Sequence, residues 1–444
     1  MNDKISQPTI LVIVGISGDL ARRKLLPALH QIDRAGLLPG RFWIVGQSRR
    51  RIAKADVLPP GTKSLAQQLE TYQMDLNNPH DYVQLSAHLD DIEQSFGAKA
   101  QRLFHLSVPP QVTKPIVQQL GQAGLLGPPD SKLLLEKPFG TDLASAQALI
   151  DCLQKYCREE QLYRIDHYLA KDMAQNLVVF RSGNPLIRRT WNKDFIESID
   201  IYASERIGIE GRAAFYEQTG ALRDFVESHL LQLAALVLMD LPDVTAWRET
   251  PAKRLQALEA LEAPHDIQSD VVRGQYNSYR DEVQNPGSEV ETYVSLRLYS
   301  HDPRWRGVPI TLTTGKALGD KTTEIRMRYR QQNAAHPDEL VLRIEPNESV
   351  TLEFWIKQPG PDYQMEPFPL ELAYDRYFGG LPDAYERVFV DAMRSEHALF
   401  TTSAEVLAAW RILAPIQHAW SMDSSDLLFY RPGRSPATAV GNPR

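Results

Sequence analysis

The sequence is poor in cysteine and has no long apolar run. Its two cysteines, Cys152 and Cys157, lie five residues apart in a helical pattern, a spacing that points their side chains away from each other. Neither a disulfide framework nor a zinc site follows, so we predict no metal. The longest internal apolar stretch, Leu230 to Leu238, is interrupted by Gln232 and is far too short to span a membrane.

The apolar run near the N-terminus is also short. It stops at Gly15 and is strand-like, which is not the pattern of a secretory signal peptide. We therefore expect a cytoplasmic protein without a membrane partner. An excess of positive charge is missing as well, because 49 Lys and Arg face 56 Asp and Glu, for a net charge of -7. No nucleic acid partner is expected, and any anionic ligand must be held by a local cluster.

What is present is the composition of an ordinary globular protein. The 444 residues are 43% hydrophobic and 24% charged, which allows a large core in two or three domains of roughly 150 residues each. The order of helical and strand-like patterns divides the chain in two. We predict a first domain over residues 1–162 and a larger second domain over residues 163–444.

The first domain begins with a strand, a glycine pair and a helix. Ile10 to Val14 is a continuous apolar run, as expected of a buried parallel strand. Gly15 and Gly18 follow it, and an amphipathic helical pattern begins after them. Glycines at this place let the backbone approach a phosphate at the helix start. The same short pattern also fits a tight turn in any α/β domain.

The second strand, Phe42 to Gly46, ends in Gln47-Ser48-Arg49-Arg50-Arg51. In a dinucleotide-binding fold this end faces the adenosine ribose, where an acid suits a free 2′-hydroxyl and arginine suits a 2′-phosphate. Three arginines without an acid favour NADP over NAD. A solvated basic turn would have the same sequence.

Two further apolar strands, Leu103 to Val108 and Leu133 to Leu135, alternate with helical patterns, one of them from about Thr141 to Glu159. This alternation predicts a Rossmann-like, doubly wound parallel sheet. Ligands of such sheets collect at the carboxyl ends of the strands, which is where Lys137 lies.

The second domain combines β-rich and helical segments. Short turns between several of the strands predict a mostly antiparallel sheet with helices, an α+β architecture. The predicted strands are Ile196 to Tyr202, Val290 to Leu298, Ile310 to Leu312, Ile325 to Tyr329, Leu340 to Ile344 and Val350 to Trp355. The predicted helices are Gly220 to Met239, Ala252 to Leu261, Ala384 to Met393 and Ser403 to Ile416.

Two places concentrate groups that could carry chemistry. The segment from Arg164 to Lys171 combines an acid, a histidine, a tyrosine and cations, which could hold a phosphorylated or oxyanionic small molecule. A solvated linking loop is the competing interpretation. His229 lies on the apolar stripe of a predicted helix, where it could be a core residue or a base, and Asp224 and Glu205 precede it.

Five sequence blocks carry a resemblance to a known family. They are Gly15-x-x-Gly18-Asp19-Leu20-Ala21-x-Arg23-Lys24-Leu25, Glu136-Lys137-Pro138-Phe139-Gly140, Arg164-Ile165-Asp166-His167-Tyr168-Leu169-x-Lys171, Gly220-Ala221-Leu222-Arg223-Asp224 with His229-Leu230-Leu231-Gln232, and Pro382-Asp383-Ala384-Tyr385-Glu386-Arg387. On these blocks the chain resembles the glucose-6-phosphate dehydrogenase family over nearly its full length. Blocks this specific, in this order, favour the functional interpretation of both histidine sites.

The resemblance implies NADP-dependent oxidation of D-glucose 6-phosphate to 6-phospho-D-glucono-1,5-lactone. His229 would be the general base and Asp166 would orient it. It also implies that residues 1–162 are a dinucleotide-binding domain, that residues 163–444 are a substrate-binding and dimerisation domain, and that the protein is a homodimer or homotetramer. The implied substrate-binding residues are Lys137, His167, Tyr168, Lys171, Glu205, Asp224, Lys316 and Lys321. The implied cofactor-binding residues are Gly15, Ser17, Gly18, Asp19, Leu20, Arg49 and Lys137.

The sequence also departs from the family pattern. Ala170 and the pair Ala213-Ala214 stand where glycines are usual, and Thr313 stands where an arginine is usual. The C-terminal motif is reduced to Pro432-Gly433-Arg434-Ser435-Pro436. These departures bear on oligomer contacts, on a second structural NADP site and on turnover. Two alternatives therefore stay open: a dehydrogenase for another hexose with an anion at C6, and a catalytically weak relative acting as a binding or regulatory partner.

Overall fold

The computed structural model describes residues 5–59, 61–241, 247–330 and 338–434. Ser435 and Pro436 of the C-terminal motif lie outside the described residues. Among the described helices none combines the length and the hydropathy that crossing a membrane requires.

The strands belong to two sheets and are numbered in chain order. They are β1 Thr9–Val14, β2 Phe42–Ser48, β3 Leu69–Gln73, β4 Gln101–Leu106, β5 Ser131–Glu136, β6 Leu162–Ile165, β7 Ile196–Ser204, β8 Leu261–Glu262, β9 Val271–Tyr276, β10 Tyr293–Ser300, β11 Ile310–Gly315, β12 Thr322–Tyr329, β13 Glu339–Glu345, β14 Ser349–Lys357, β15 Met365–Ala373, β16 Phe400–Thr401 and β17 Leu428–Tyr430.

The α-helices are numbered in the same way. They are α1 Leu26–Arg34, α2 Lys63–Gln67, α3 Pro79–Phe96, α4 Pro110–Gln122, α5 Leu143–Gln154, α6 Asp172–Gly183, α7 Pro185–Thr190, α8 Ala213–Ala221, α9 Leu231–Leu238, α10 Thr250–Ala260, α11 Ile267–Asp270, α12 Tyr279–Glu282, α13 Tyr374–Phe378, α14 Ala384–Arg394 and α15 Ser403–Met422. Two segments are π-helical, Ala21–Leu25 and Leu222–Leu230, and short 3-10 turns cover Lys54–Asp56, Glu159–Gln161 and Trp247–Glu249.

The first sheet has the strand order β16-β6-β5-β4-β1-β2-β3. Strands β1 to β6 are all parallel, and β16 pairs antiparallel with β6 at the edge. Residues of β1 and β4 are buried along their whole length, as expected of strands that are covered on both faces. The order reverses between β1 and β4, and such a switch point is where doubly wound sheets bind their ligands.

The chain folds as two compact units. The first comprises the described residues of Met1–Gly140, Ala144–Ala170 and Pro382–Val406, and the second comprises the rest. This division differs from the predicted boundary at residue 162 because β6 pairs with β5 and continues the first sheet. The segment containing α14 and β16 also belongs to the first unit, since β16 pairs with β6. The boundary therefore falls inside the Arg164–Lys171 block.

The second unit contains the predicted mostly antiparallel sheet. Its order is β15-β14-β13-β12-β7-β11-β10-β9-β17, with β8 paired to β10. Neighbours are antiparallel except for β7 with β11 and β9 with β17. Alternate residues of β13 are buried, which fits a sheet with one covered face. The fold class predicted from the sequence is confirmed for both parts of the chain.

Several local predictions need correction. The helix predicted from Gly220 to Met239 is a π-helix over Leu222–Leu230 that continues as α9. Gly220 itself has φ of 63° and breaks the helix before it. The helix predicted to reach Glu159 ends at Gln154, so Cys157 lies beyond it, and both cysteines are free and buried. Strands β9 and β15 and helix α6 were not predicted.

Candidate active site

The loop after β1 is built from backbone groups. Gly15 has φ of 89°, and a β-carbon placed on it would lie 2.4 Å from the carbonyl oxygen of Ser107. Its N–H donates to Oε1 of Gln47 at 3.1 Å, while the Gln47 amide donates to the carbonyl of Met74. Only glycine fits this close approach between the ends of β1 and β4.

The same loop leads directly into a helix start. The Gly18 N–H donates to the Gly15 carbonyl at 2.9 Å, and the chain then enters the π-helix Ala21–Leu25. Ser17 and Asp19 are exposed and Leu20 is half-buried. Asp19 forms an exposed ion pair with Arg23 at 2.7 Å. A glycine cradle at the switch point of a parallel sheet fits a dinucleotide, whose pyrophosphate such loops accept.

Arg49, Arg50 and Arg51 follow β2 and are exposed. The backbone of this turn is held locally, since the Gln73 amide donates to the Arg49 carbonyl at 3.4 Å. The Arg50 N–H donates to Oγ of Ser48 at 3.3 Å. Within the described part of the chain the three guanidinium groups form no salt bridge, so their charge is available to an anion.

Lys137 follows β5 and is half-buried. Its neighbour Glu136 is the centre of a hydrogen-bonded network within the first unit. The phenol of Tyr385 donates to Oε1 of Glu136 at 3.0 Å, and Nε2 of His105 lies 3.1 Å from the same oxygen. Burial, and then the Glu136 carboxylate, raise the pKa of Tyr385. The Tyr385 proton therefore stays in place and fixes the end of β5.

Asp166, His167 and Tyr168 follow β6 in the first unit. Asp166 is 2% exposed, and its Oδ1 accepts the N–H of Tyr168 at 3.0 Å. The rings of His167 and Tyr168 pack at a centroid distance of 4.9 Å. The turn therefore holds a buried carboxylate beside a half-buried imidazole, as a base-orienting or phosphate-binding segment requires.

Lys171 lies in the second unit, where it immediately precedes α6. Its ammonium group forms an ion pair with Oε1 of Glu345, and Lys321 lies 3.5 Å from Oε2 of the same acid. Burial acts to raise the pKa of Glu345, but the charges and hydrogen bonds of Lys171 and Lys321 together outweigh it and lower that pKa. Two lysines thus meet at one carboxylate, an arrangement in which a phosphate could replace the acid.

A second acid, Glu348, lies close to the ion pairs that Lys171 and Lys321 form with Glu345. Glu348 accepts the N–H of Met173 at 2.8 Å. Its pKa is raised to about 7, mainly by burial, with Asp172 and Glu345 adding to the rise. The group therefore contains a carboxyl that gains and loses its proton near neutral pH.

Lys316 joins Glu205 and Asp224 in another cluster of the second unit. Its ammonium group pairs with Oε2 of Glu205 and lies 3.9 Å from Oδ2 of Asp224. It also lies over the rings of Tyr216 and Phe225, at 5.1 and 5.8 Å from their centroids. Lys316 is 2% exposed, so the charges interact in a poorly solvated setting. Acids and a cation in this arrangement can bind the hydroxyl groups of a sugar.

His229 lies on the π-helix Leu222–Leu230 and is 1% exposed. Its ring contacts that of Phe225 edge to face, with centroids 5.4 Å apart. Asp224 occupies the first turn of the same π-helix. Long π-helical turns are rare and often coincide with functional sites. Of the predicted substrate residues, Lys321 is not in the Lys316 cluster but shares Glu345 with Lys171.

Sequence reasoning missed several residues of these clusters. Glu345 ends β13 and Glu348 lies in the short turn before β14, a sequence that is typical of an ordinary exposed hairpin. Tyr216 and Phe225 belong to apolar helical patterns. Tyr385 lies in the sequence block Pro382–Arg387, but no local pattern connects it to Glu136, 249 residues away.

Comparison with protein families covers both units. The model of the glucose-6-phosphate dehydrogenase NAD-binding domain matches residues 12–176, and that of the C-terminal domain matches residues 178–441. A glucose-6-phosphate 1-dehydrogenase from Chlamydia muridarum is 34% identical over 461 residues, covering 93% of this chain and 90% of the relative. The enzyme of that name from Gluconobacter oxydans is 36% identical over 472 residues, covering 96% and 94%.

Solved structures give the same result. A glucose-6-phosphate dehydrogenase in complex with its substrate glucose-6-phosphate has a TM-score of 0.90 and 29% identity, and the match covers 99% of this chain and 97% of the other. A glucose-6-phosphate 1-dehydrogenase from Mycobacterium avium has a TM-score of 0.83 and 30% identity, with coverage of 97% and 95%. The likeness thus extends through the dinucleotide-type sheet and the large antiparallel sheet alike.

Proposed function

The chain belongs to the glucose-6-phosphate dehydrogenase family, which consists of nicotinamide-dinucleotide-dependent dehydrogenases, and on that premise we propose that it oxidises D-glucose 6-phosphate with NADP. The product is 6-phospho-D-glucono-1,5-lactone. The observation that carries the proposal is the pairing of Lys171 and Lys316 with carboxylates in the second unit. These are lysines to which the family resemblance assigns the sugar phosphate.

The phosphate is bound by exchange of one anion for another. Lys171 and Lys321 both contact Glu345, and a phosphate dianion offers them more charge and more acceptor oxygens than one carboxylate does. The family resemblance assigns His167 and Tyr168 to the same phosphate. In the Lys316 cluster, Glu205 and Asp224 accept hydrogen bonds from sugar hydroxyls while Lys316 donates to their oxygens.

Oxidation at C1 requires removal of a proton from the anomeric hydroxyl as the hydride leaves. His229 takes that proton, since a neutral imidazole is the side-chain base best matched to neutral pH. Asp166 is the carboxylate that orients the imidazole and stabilises its protonated form. The nicotinamide ring, when bound, supplies the hydride acceptor. Lys137 contacts both the substrate and the nicotinamide side of the site.

Coenzyme binding uses the first unit. The Gly15 and Gly18 backbone, together with Ser17, Asp19 and Leu20, holds the pyrophosphate at the helix start. Support comes from the glycine geometry beside Ser107. Arg49 recognises the 2′-phosphate through a bidentate, charge-assisted contact, which a free ribose hydroxyl cannot provide.

The test is a spectrophotometric assay that follows the reduced nicotinamide. NADP and NAD are each offered with glucose 6-phosphate, other hexoses with an anion at C6, and glucose. Reduction of NADP with glucose 6-phosphate at the highest kcat/KM supports the proposal. A preference for another sugar shifts the substrate, while binding without turnover indicates a regulatory relative. A double-mutant cycle with His229→Asn and Asp166→Asn tests the base pair, because coupled residues give non-additive losses.

We also propose that the functional form is a homodimer, or a homotetramer built from it, in the cytoplasm. Strand β15 lies at the edge of the second sheet, and Phe354, Phe368, Leu370 and Leu372 are between 41% and 55% exposed on one face of β14 and β15. An exposed apolar face at the edge of a sheet can be covered by a second copy with two-fold symmetry. Light scattering of wild type and Phe368→Glu tests this, with a monomeric variant as the expected result.

A further inference from the structure

Two consecutive residues, Glu291 and Thr292, support both parts of the second-unit site. The N–H of Leu222 donates to Oε1 of Glu291 at 3.0 Å, and the N–H of Ala221 donates to the Glu291 carbonyl at 3.0 Å. The N–H of Lys316 donates to the Thr292 carbonyl at 2.9 Å. The start of the π-helix and the backbone of Lys316 are therefore attached to one short stretch of chain.

The contact with the π-helix is close and buried. Glu291 is 5% exposed, and burial raises the pKa of its carboxyl group. A β-carbon placed on Gly220 would lie 2.4 Å from Oε1 of Glu291. Gly220 has φ of 63°, so it supplies both the turn before the π-helix and the space for the carboxyl. The first N–H groups of a helix have no partner within it, and an oxygen acceptor stabilises that end.

We propose that Glu291 is a positioning residue for the reaction, because its carboxyl fixes the start of the π-helix that carries Asp224 and His229. This inference rests on the proposed function, in which His229 is the base. Removal of the carboxyl leaves the buried N–H of Leu222 without its acceptor, which is costly inside a protein. The first turn then shifts toward another partner. A displacement of about 1 Å at a reacting group can lower the rate by about a hundredfold.

The length of the side chain, more than its charge, is what positions the helix. Glu291→Gln keeps an oxygen at the same reach, so the N–H of Leu222 keeps an acceptor. Glu291→Asp keeps the carboxyl but withdraws it by one methylene. We expect Glu291→Gln to keep kcat within about threefold of wild type and Glu291→Asp to lower kcat by about ten- to a hundredfold. The Kd for glucose 6-phosphate should change by less than about threefold in both, since Lys171 and Lys321 are untouched.

Glu405→Gln is the matched control. Glu405 is also a buried carboxylate at a helix start, where it accepts the N–H of Thr402 at 2.8 Å, but it belongs to the first unit. The kcat of the Glu405→Gln variant should equal that of wild type. Glu291→Met keeps the length of the side chain but has no oxygen acceptor, so it should lower kcat as Glu291→Asp does, and it serves if Glu291→Asp does not fold. Thermal unfolding of each variant separates loss of fold from loss of rate.

A second measurement does not depend on turnover. With ¹⁵N-labelled histidine, the His229 ring resonances are assigned by their loss in His229→Asn and then followed in each variant. Movement of these resonances in Glu291→Asp but not in Glu291→Gln supports the inference. Unchanged His229 resonances with wild-type kcat in Glu291→Asp overturn it, as does an equal loss in Glu291→Gln. Absence of NADP reduction by the wild type overturns the proposed function instead, and the resonances still decide the role of Glu291.

Discussion

The cations of the two units are presented in different ways. Arg49, Arg50 and Arg51 of the first unit are exposed and form no salt bridge with other described residues. Lys171 and Lys316 of the second unit are each paired with carboxylates, and Lys316 is 2% exposed. Arg49 and the two lysines are proposed to bind phosphates or sugar hydroxyls, yet the arginine is open to solvent and the lysines are already paired.

The difference in exposure affects how the arginines and the lysines discriminate between ligands. An exposed guanidinium loses side-chain freedom when it binds, and salt screens its charge. A lysine that is paired with an acid is already ordered. A ligand that replaces the acid must therefore interact with the ammonium group more strongly than the carboxylate does. We therefore expect substitutions in the second unit to have the larger effects.

The strongest test of this difference removes the proposed base. His229→Asn should lower kcat by about two to four orders of magnitude, the usual contribution of a positioned base, with little change in the Kd values of substrate and coenzyme. Steady-state kinetics and equilibrium binding measure both. His265→Asn is the control, because His265 is 68% exposed and should retain full activity. A near-native kcat for His229→Asn would reject the base assignment.

Removal of Lys171 should have the next largest effect. Lys171→Ala should raise the KM for glucose 6-phosphate by about ten- to a hundredfold, the worth of a charge-assisted contact of roughly 1.5–3 kcal/mol. Turnover of unphosphorylated glucose should hardly change, because that sugar has no phosphate to lose. An equal loss for both sugars would place the phosphate elsewhere.

Glu345→Gln is the partner experiment for Lys171. It keeps both lysines but removes the competing charge that they share. If the phosphate replaces this carboxylate, the KM for glucose 6-phosphate should fall by a few-fold, roughly 1 kcal/mol. A rise in KM would mean that Glu345 assists substrate binding, and the exchange of anions would be wrong.

The exposed arginines should give a smaller and more selective effect. Arg49→Ala should raise the KM for NADP by roughly tenfold, about 1.4 kcal/mol, and leave the KM for NAD nearly unchanged. Arg51→Ala should alter neither by more than about twofold, since a solvated charge contributes little. Kinetics with both coenzymes decide. Equal harm to NADP and NAD, or a wild type that prefers NAD, would reject the assignment of the 2′-phosphate.

The smallest expected effect is on stability and depends on pH. The folded-state pKa of Glu348 is about 7, above that of an unfolded glutamate, so the folded protein loses stability as pH rises from about 4.5 to 7. Glu348→Gln removes this cost. Its thermal midpoint should exceed that of wild type by about 1–2 °C at pH 8 and match it at pH 4.5. Glu197→Gln, at an exposed position, should have the same thermal midpoint as wild type at both pH values. If Glu348→Gln also shows no gain at pH 8, the burial argument is wrong.

Local sequence was sufficient for the parts whose pattern is short-range. The apolar runs of β1, β2, β4 and β5 are buried along nearly their whole length, and a continuous apolar run of that length can hardly be satisfied otherwise. The loop after β1 could also be predicted from its glycines. Where one backbone closely approaches another there is no room for a β-carbon, so glycine is required. The sequence blocks identified the family and hence the candidate residues.

Only the tertiary structure decided which charges meet. Lys171 and Glu345 are 174 residues apart and Tyr385 and Glu136 are 249 apart, and no periodicity links such pairs. The place of β16 in the first sheet and the π-helical form of Leu222–Leu230 could not be predicted from local sequence either. Helical and strand periods report which face of an element is buried, whereas the partner on that face depends on how distant elements pack. The sequence by itself therefore determined the fold class and the residues worth testing, and packing determined the carboxylate that each lysine contacts.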